Sequence, residues 1–183
     1  MSVIIDPTTL LAENVESTTE AARPASLASL RVGLFENTKR NAAQLLDAIG
    51  AQLTAREPSI TLVRRTKEQF GLPMSSELAD DLRASCDVVI VGVGDCGSCS
   101  ATAVSDGIAL ETRSIPTAVV ITDIFEANGR AIAALEGSPE FPFIMAPHPV
   151  ATLDAAQLEE RARELVDRIL SRLVEPALAG AHA

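Results

Sequence analysis

Eight residues constrain this chain more than any others: Asp87–Gly94, DVVIVGVG. After the opening acid, Val and Ile fill almost every position. Such a strand has no polar side to turn toward water, so both of its faces must be covered. A parallel sheet packed between two layers of helices meets that demand, and it requires strands and helices to alternate along the chain.

The rest of the sequence alternates in that way. LRVGLF (Leu30–Phe35) is a short buried-strand run. TKRNAAQLLDAIGAQLTA repeats Ala43, Leu46, Ile49 and Leu53 at helical spacing. SITLVRR (Ser59–Arg65) is β-branched and short, as strands are. SSELADDLRAS offers Ser75 and Ser76 as helix caps. After the central strand, SATAVSDGIALETRS reads as a helix weakened by Gly107. PTAVVITDIF (Pro116–Phe125) is another buried strand, and EANGRAIAALEG is helical in its second half. FPFIMAPHP (Phe141–Pro149) is a last strand interrupted by prolines. A final helix starts at a Thr or Asp cap, carries Leu158, Leu165, Ile169 and Leu173 on one face, and ends before Pro176. The pattern predicts an α/β three-layer sandwich with a five-stranded parallel sheet, flavodoxin-like or Rossmann-like, in the order 2-1-3-4-5. Residues 30–176 form the single domain, after an arm at 1–29 and before a frayed tail at 177–183. The last helix is expected to pack on its own sheet, with a dimer seam as the alternative.

Charge and composition narrow the partners. The 183 residues carry a net charge of −10, with five Phe and neither Trp nor Tyr. An acidic surface with few stacking platforms argues against nucleic acid. No apolar run is long enough to cross a bilayer. The N-terminus has no basic segment before its apolar residues, so it makes a poor signal peptide. The chain is read as cytoplasmic, where cysteine pairs serve catalysis or metals more often than structural disulfides.

Ligands of such sheets bind at the carboxyl ends of the strands. Polar groups gather there in this sequence: Asn37, Thr38 and Lys39 after the first strand; Thr66 and Lys67 after the second; DCGSCS after the third; Thr122, Asp123 and Phe125 after the fourth; and His148 after the fifth. In Asp95-Cys96-Gly97-Ser98-Cys99, the first sulfur falls near a helix N-terminus, where backbone dipoles favour the thiolate. Cys99 lies in the first turn and can close a disulfide with Cys96. Asp95 works against the thiolate unless it is protonated, turned aside or used as a proton donor. His148, stiffened by Pro147 and Pro149, is a general acid/base candidate. Lys39, with Asn37, is an anchor for an anionic substrate, and Lys67 has a weaker form of the same case. Gly94, Gly97 and Ser98 allow a small substrate to come close, and Phe125 makes a wall.

Other readings are weaker. The two cysteines could be small apolar fillers. A zinc site wants four ligands, and only Cys86 and His148 stand beside the pair, so no metal is expected. Cys86 precedes the buried strand and reads as core. GVGDCG fits GxGxxG, but on the third strand and with Asp and Cys where phosphates need bare backbone.

The segment GVGDCGSCSATAVSDGIALE resembles the motif of the UGSC family, named for selenocysteine-Gly-Ser-Cys, with Cys96 in the selenocysteine position. The resemblance includes ENTKRNAAQLL, SIPTAVVITDIF and FPFIMAPHP, spans Arg31 to about Leu153, and leaves out the arm. The family is similar to the selenocysteine-bearing B components of the glycine, sarcosine and betaine reductases. That similarity implies a nucleophile at Cys96 and a resolving thiol at Cys99, with sulfur the less acidic element and the poorer leaving group.

The expected function is therefore a thiol-dependent enzyme acting on a small organic acid or amine. The first expectation is reductive cleavage, with Asp95 or His148 moving protons, no bound cofactor, and an external dithiol as reductant. One alternative is a redox-neutral lyase, hydrolase or isomerase. Another is a redox sensor, or a subunit that acts with a partner. A homo- or hetero-oligomer is expected.

Overall fold

The computed structural model describes residues 20–175 of the chain; the first part of the arm and the tail at 177–183 lie outside them. Five strands, β1 (Arg31–Glu36), β2 (Thr61–Thr66), β3 (Val88–Gly94), β4 (Thr117–Thr122) and β5 (Ile144–Ala146), form one parallel sheet in the order β2-β1-β3-β4-β5. Five helices connect and follow them: α1 (Ala42–Arg56), α2 (Ser76–Ser85), α3 (Gly97–Glu111), α4 (Glu126–Leu135) and α5 (Ala155–Leu173). This is the expected α/β three-layer sandwich with the expected strand order.

The layers follow from strand alternation. Val88 and Ile90 point to the face covered by α1 and α5, while Val89 and Val91 point to the face covered by α2, α3 and α4. All seven residues of β3 are buried, as their apolar run demands. Beyond Val91 the alternation slips. The register against β4 is irregular between Val91 and Gly94, and Val93 joins the face of Val88 and Ile90. An irregularity of this kind re-aims the backbone at the strand end, where the chain enters the DCGSCS turn.

Several boundaries differ from expectation, each for a local reason. Helix α3 begins at Gly97, three residues early, because Cys96 takes the N-cap position with extended φ and ψ. Helix α4 runs from Glu126 rather than from its second half, after a single 3-10 turn at Asp123–Phe125. Strand β5 is only three residues long, since prolines at 142 and 147 confine its ladder. In α1 the buried residues are Ala42, Leu45, Leu46, Ile49, Gly50 and Leu53, and Ala43 faces outward. Helix α5 packs Leu158, Leu165, Ile169 and Leu173 into its own core and starts at a capping box, Asp154 with Gln157.

Gly107 weakens α3 only in isolation. A Cβ there would lie 2.3 Å from Val119 Cγ2, so glycine is what lets α3 lie against β4.

The far end of α3 is fixed by Glu111, whose side chain is fully buried. It accepts hydrogen bonds from the backbone N–H of Ala21 and of Thr117 (2.7 Å each) and from the Arg23 guanidinium (2.7 Å twice), and Arg172 stands at 3.4 Å. Ala21 and Leu27 are buried. The described part of the arm is thus seated on the domain, at the sheet edge opposite the cysteines.

Candidate active site

Helix α3 carries the cysteines at its N-terminus because β3 ends in a tight approach. A Cβ on Gly94 would lie 2.7 Å from Ser100 Cα and 2.8 Å from Ile121 Cγ2. Gly94 is itself buried. It serves to seat the first turn of α3 against the sheet, and this packing role replaces the expected substrate contact.

Cys96 caps the helix through its side chain. Its Sγ accepts the backbone N–H of Cys99 at 3.3 Å, and Ser98 Oγ lies at 3.6 Å. Partial burial raises the Cys96 thiol, but the contacts with Cys99 and Ser98, the Cys99 N–H and the charge of Lys39 together carry it below the usual thiol range. Cys99 is fully buried and behaves oppositely. Desolvation, added to its contact with Cys96, pushes it up to about 12. The pair therefore divides into a partly exposed thiol favoured as thiolate and a sealed thiol favoured as proton donor.

Lys39 approaches these sulfurs from the β1–α1 loop. Its Nζ lies 3.8 Å from the centroid of the Phe70 ring, a cation–π contact. The loop that carries it holds Thr38 and Asn41 at φ 62° and 67°, in the left-handed region. Asn41 ties that loop to the one after β5, donating to the carbonyls of Val150 and Leu153 at 3.0 and 2.8 Å.

Asn37 lies beneath that loop, largely turned inward. Its Nδ2 donates to the Val93 carbonyl at 2.9 Å, and its buried Oδ1, an acceptor, has no partner. Only 5% exposed and with one of its two amide N–H groups committed to Val93, it braces the loop under Lys39. Lys67 leaves the site altogether. It is buried in an ion pair with Asp106 of α3, so it is no anchor for an anionic ligand.

Asp95 turns away from the sulfur that precedes α3. Its side chain is 6% exposed and reaches the β5–α5 loop. There it accepts the backbone N–H of Val150 (3.1 Å to each oxygen) and of Ala151 (2.8 Å), and it lies 3.0 Å from His148 Nδ1. Thr122 Oγ1 is 3.2 Å from the same nitrogen and donates to the Gly94 carbonyl at 3.1 Å. Phe125 meets the His148 ring edge-on, centroids 5.5 Å apart. The four strand ends β1, β3, β4 and β5 thus bring Lys39, the cysteines, Phe125 and His148 to one edge.

Two neighbours escaped the sequence reading. Phe70 sits in an exposed loop with no period to mark it, and its carbonyl is held by Thr102 Oγ1 at 3.0 Å. Asn128 of α4 lies over Gly97, where a Cβ would be 3.3 Å from its Nδ2, so the small residue at 97 makes room for the Asn128 amide beside the cysteine turn. The only hint of either was its position near a strand end. A groove of about 640 Å³ between α1 and α5 contains none of the expected residues. Among the described residues, no three His, Cys, Asp or Glu side chains are grouped to hold a metal, and no helix is long and apolar enough to cross a membrane.

The model of the UGSC family matches residues 3–175. The match covers nearly the whole chain and reaches back into the arm, which the resemblance by motif leaves outside. No curated protein and no solved structure matches the chain.

Proposed function

The chain belongs to the UGSC family, and on that premise we propose that it is a thiol-dependent enzyme that cleaves a small organic acid or amine reductively at Cys96. The observation that carries this reading is the geometry of the pair: Cys96 Sγ caps α3 and accepts the Cys99 N–H at 3.3 Å, so the second thiol belongs to the first turn of the same helix. The Cys96 thiolate attacks the substrate carbon and displaces a leaving group, forming a thioether. The Cys99 sulfur then attacks Cys96 Sγ and gives up its proton. The carbon departs with the bonding electrons and is protonated, and a Cys96–Cys99 disulfide remains. An external dithiol returns two electrons and two protons to that disulfide, so substrate and dithiol become reduced product, leaving group and oxidised dithiol. Lys39 holds the anionic end of the substrate, the free N–H groups at the start of α3 support it, and His148 moves protons. No resident cofactor is required.

A second reading draws on one observation. Cys99 is fully buried and pushed up to about 12, which suits a hydrogen-bond donor to the Cys96 thiolate better than an attacking thiol. In a redox-neutral lyase, hydrolase or isomerase, Cys99 would keep that role throughout and no reductant would be consumed.

The test is turnover followed by mass spectrometry of the intact chain across candidate organic acids and amines with a dithiol supplied. A Cys96–Cys99 disulfide that appears only with substrate, and that Cys99→Ser abolishes together with multiple turnover, supports reductive cleavage. Unchanged turnover in Cys99→Ser selects the redox-neutral reading. Full activity in Cys96→Ser refutes both.

A further inference from the structure

His148 meets only acceptors at Nδ1. Asp95 Oδ1 lies 3.0 Å away, and every other contact of that carboxylate is with a backbone N–H, from Val150 and Ala151. Thr122 Oγ1 lies 3.2 Å away, and its single hydroxyl proton is committed to the Gly94 carbonyl, so toward the ring it too accepts. Were Nδ1 bare, its lone pair would face a carboxylate oxygen at hydrogen-bond distance with no proton between them. The ring is held in this pose by the edge of Phe125 and by the His148 backbone N–H, which donates to Asp123 Oδ1 at 3.2 Å.

We infer that His148 is locked as the Nδ1–H tautomer, that its bare Nε2 is the proton-accepting atom of the site, and that Asp95 and Thr122 are positioning residues acting through the ring. The assignment of Nε2 as the working base rests on the proposed function; the tautomer lock does not. In the reductive scheme the balance is simple. Nε2 takes up the proton released when Cys96 reacts as thiolate and returns it to the departing carbon, while the proton of Cys99 passes to solvent and balances the charge of the displaced group, so His148 ends the cycle as it began. Asp95 then moves no proton. Its carboxylate keeps the ring oriented and stabilises the imidazolium that forms between the two transfers, as a carboxylate does wherever it backs a catalytic histidine.

The lock is read without substrate. In the full chain labelled with ¹⁵N-histidine, long-range ¹H–¹⁵N correlation spectra above the histidine titration show which nitrogen is protonated, and a His148→Gln sample assigns the signals against His182. The expected spectrum has protonated Nδ1 and bare Nε2. Asp95→Asn, which puts an amide donor within reach of Nδ1, is expected to swing the population to Nε2–H and to lower turnover by about two to four orders of magnitude. Thr122→Val keeps the Nδ1–H tautomer, because Asp95 remains. Wild-type His148 found as Nε2–H overturns the lock, and so does an Asp95→Asn chain that is folded and still Nδ1–H. If the Asn variant fails to fold, the wild-type and Thr122→Val spectra decide alone. A confirmed lock with undiminished turnover in His148→Gln overturns the role of Nε2 and leaves the cysteine chemistry standing.

Discussion

Lys67 and Asp106 form an ion pair sealed from solvent, each side chain only 2% exposed, between the loop after β2 and the middle of α3. Asp106 also accepts the Met74 N–H at 2.8 Å. Together with Thr102 on the Phe70 carbonyl, the pair fastens the loop whose Phe70 ring covers Lys39. Removing one partner leaves a buried charge uncompensated, so Lys67→Met should cost about 3–5 kcal/mol in urea unfolding. Adding Asp106→Leu should recover part of that loss and not all of it, because the Met74 N–H then lacks its acceptor. A double variant no more stable than Lys67→Met would mean that the pair is not coupled.

Only one of the three cysteines should react in the folded chain. Cys86 and Cys99 are buried, and burial raises both thiols. Iodoacetamide at neutral pH is therefore expected to modify Cys96 alone, with the other two labelled after unfolding. Because the Cys96 thiol lies below its usual range, its thiolate fraction, and with it the alkylation rate, should exceed that of a free cysteine at pH 7. The rate should fall as pH drops through the lowered value. Peptide mapping over a pH series checks both points.

Lys39 contributes part of that lowering. Replacing it with Met should move the alkylation profile of Cys96 to higher pH and slow the reaction several-fold at pH 7. If Lys39 also anchors an anionic substrate, KM should rise in the same variant. An alkylation profile identical to the wild type would remove Lys39 from the electrostatics of the thiol.

Gly107→Ala is a test of packing against propensity. Alanine favours a helix interior by about 1 kcal/mol over glycine. Here its Cβ would sit 2.3 Å from Val119 Cγ2, inside the core. Overpacking of this kind costs about 1–3 kcal/mol, so the net effect should be a lower Tm in thermal unfolding. A raised Tm would show that α3 can move off β4 freely.

Much of the site could be read from the chain because its parts lie at strand ends, and strand ends follow chain order. DVVIVGVG had to be a central strand, so DCGSC had to stand at the sheet's carboxyl edge before a helix, and Lys39 and His148 had to come to the same edge from neighbouring turns. The misreadings concern direction. Asn37 lies where expected but turns inward, with one amide N–H on the Val93 carbonyl. Gly94 lies at the turn but is filled by Ser100 and Ile121. Lys67 follows its strand end but turns into α3. Phe70 and Asn128 reach the site from a loop and a helix whose own sequences show no pattern that points there.

The sequence by itself determined the architecture and the place of the two cysteines. An uninterrupted Val/Ile run, helical spacing of Leu and Ile, and a turn between them each express their meaning within a few residues. Only the tertiary structure decided what each polar group faces. Asp95, adjacent in sequence to Cys96, would oppose the thiolate if adjacency were proximity of charge. The irregular end of β3 and the return of the β5–α5 loop instead give its carboxylate two backbone N–H groups and the Nδ1 of His148. A side chain's partner is set by segments that meet across about fifty residues of chain, and no local pattern carries that information.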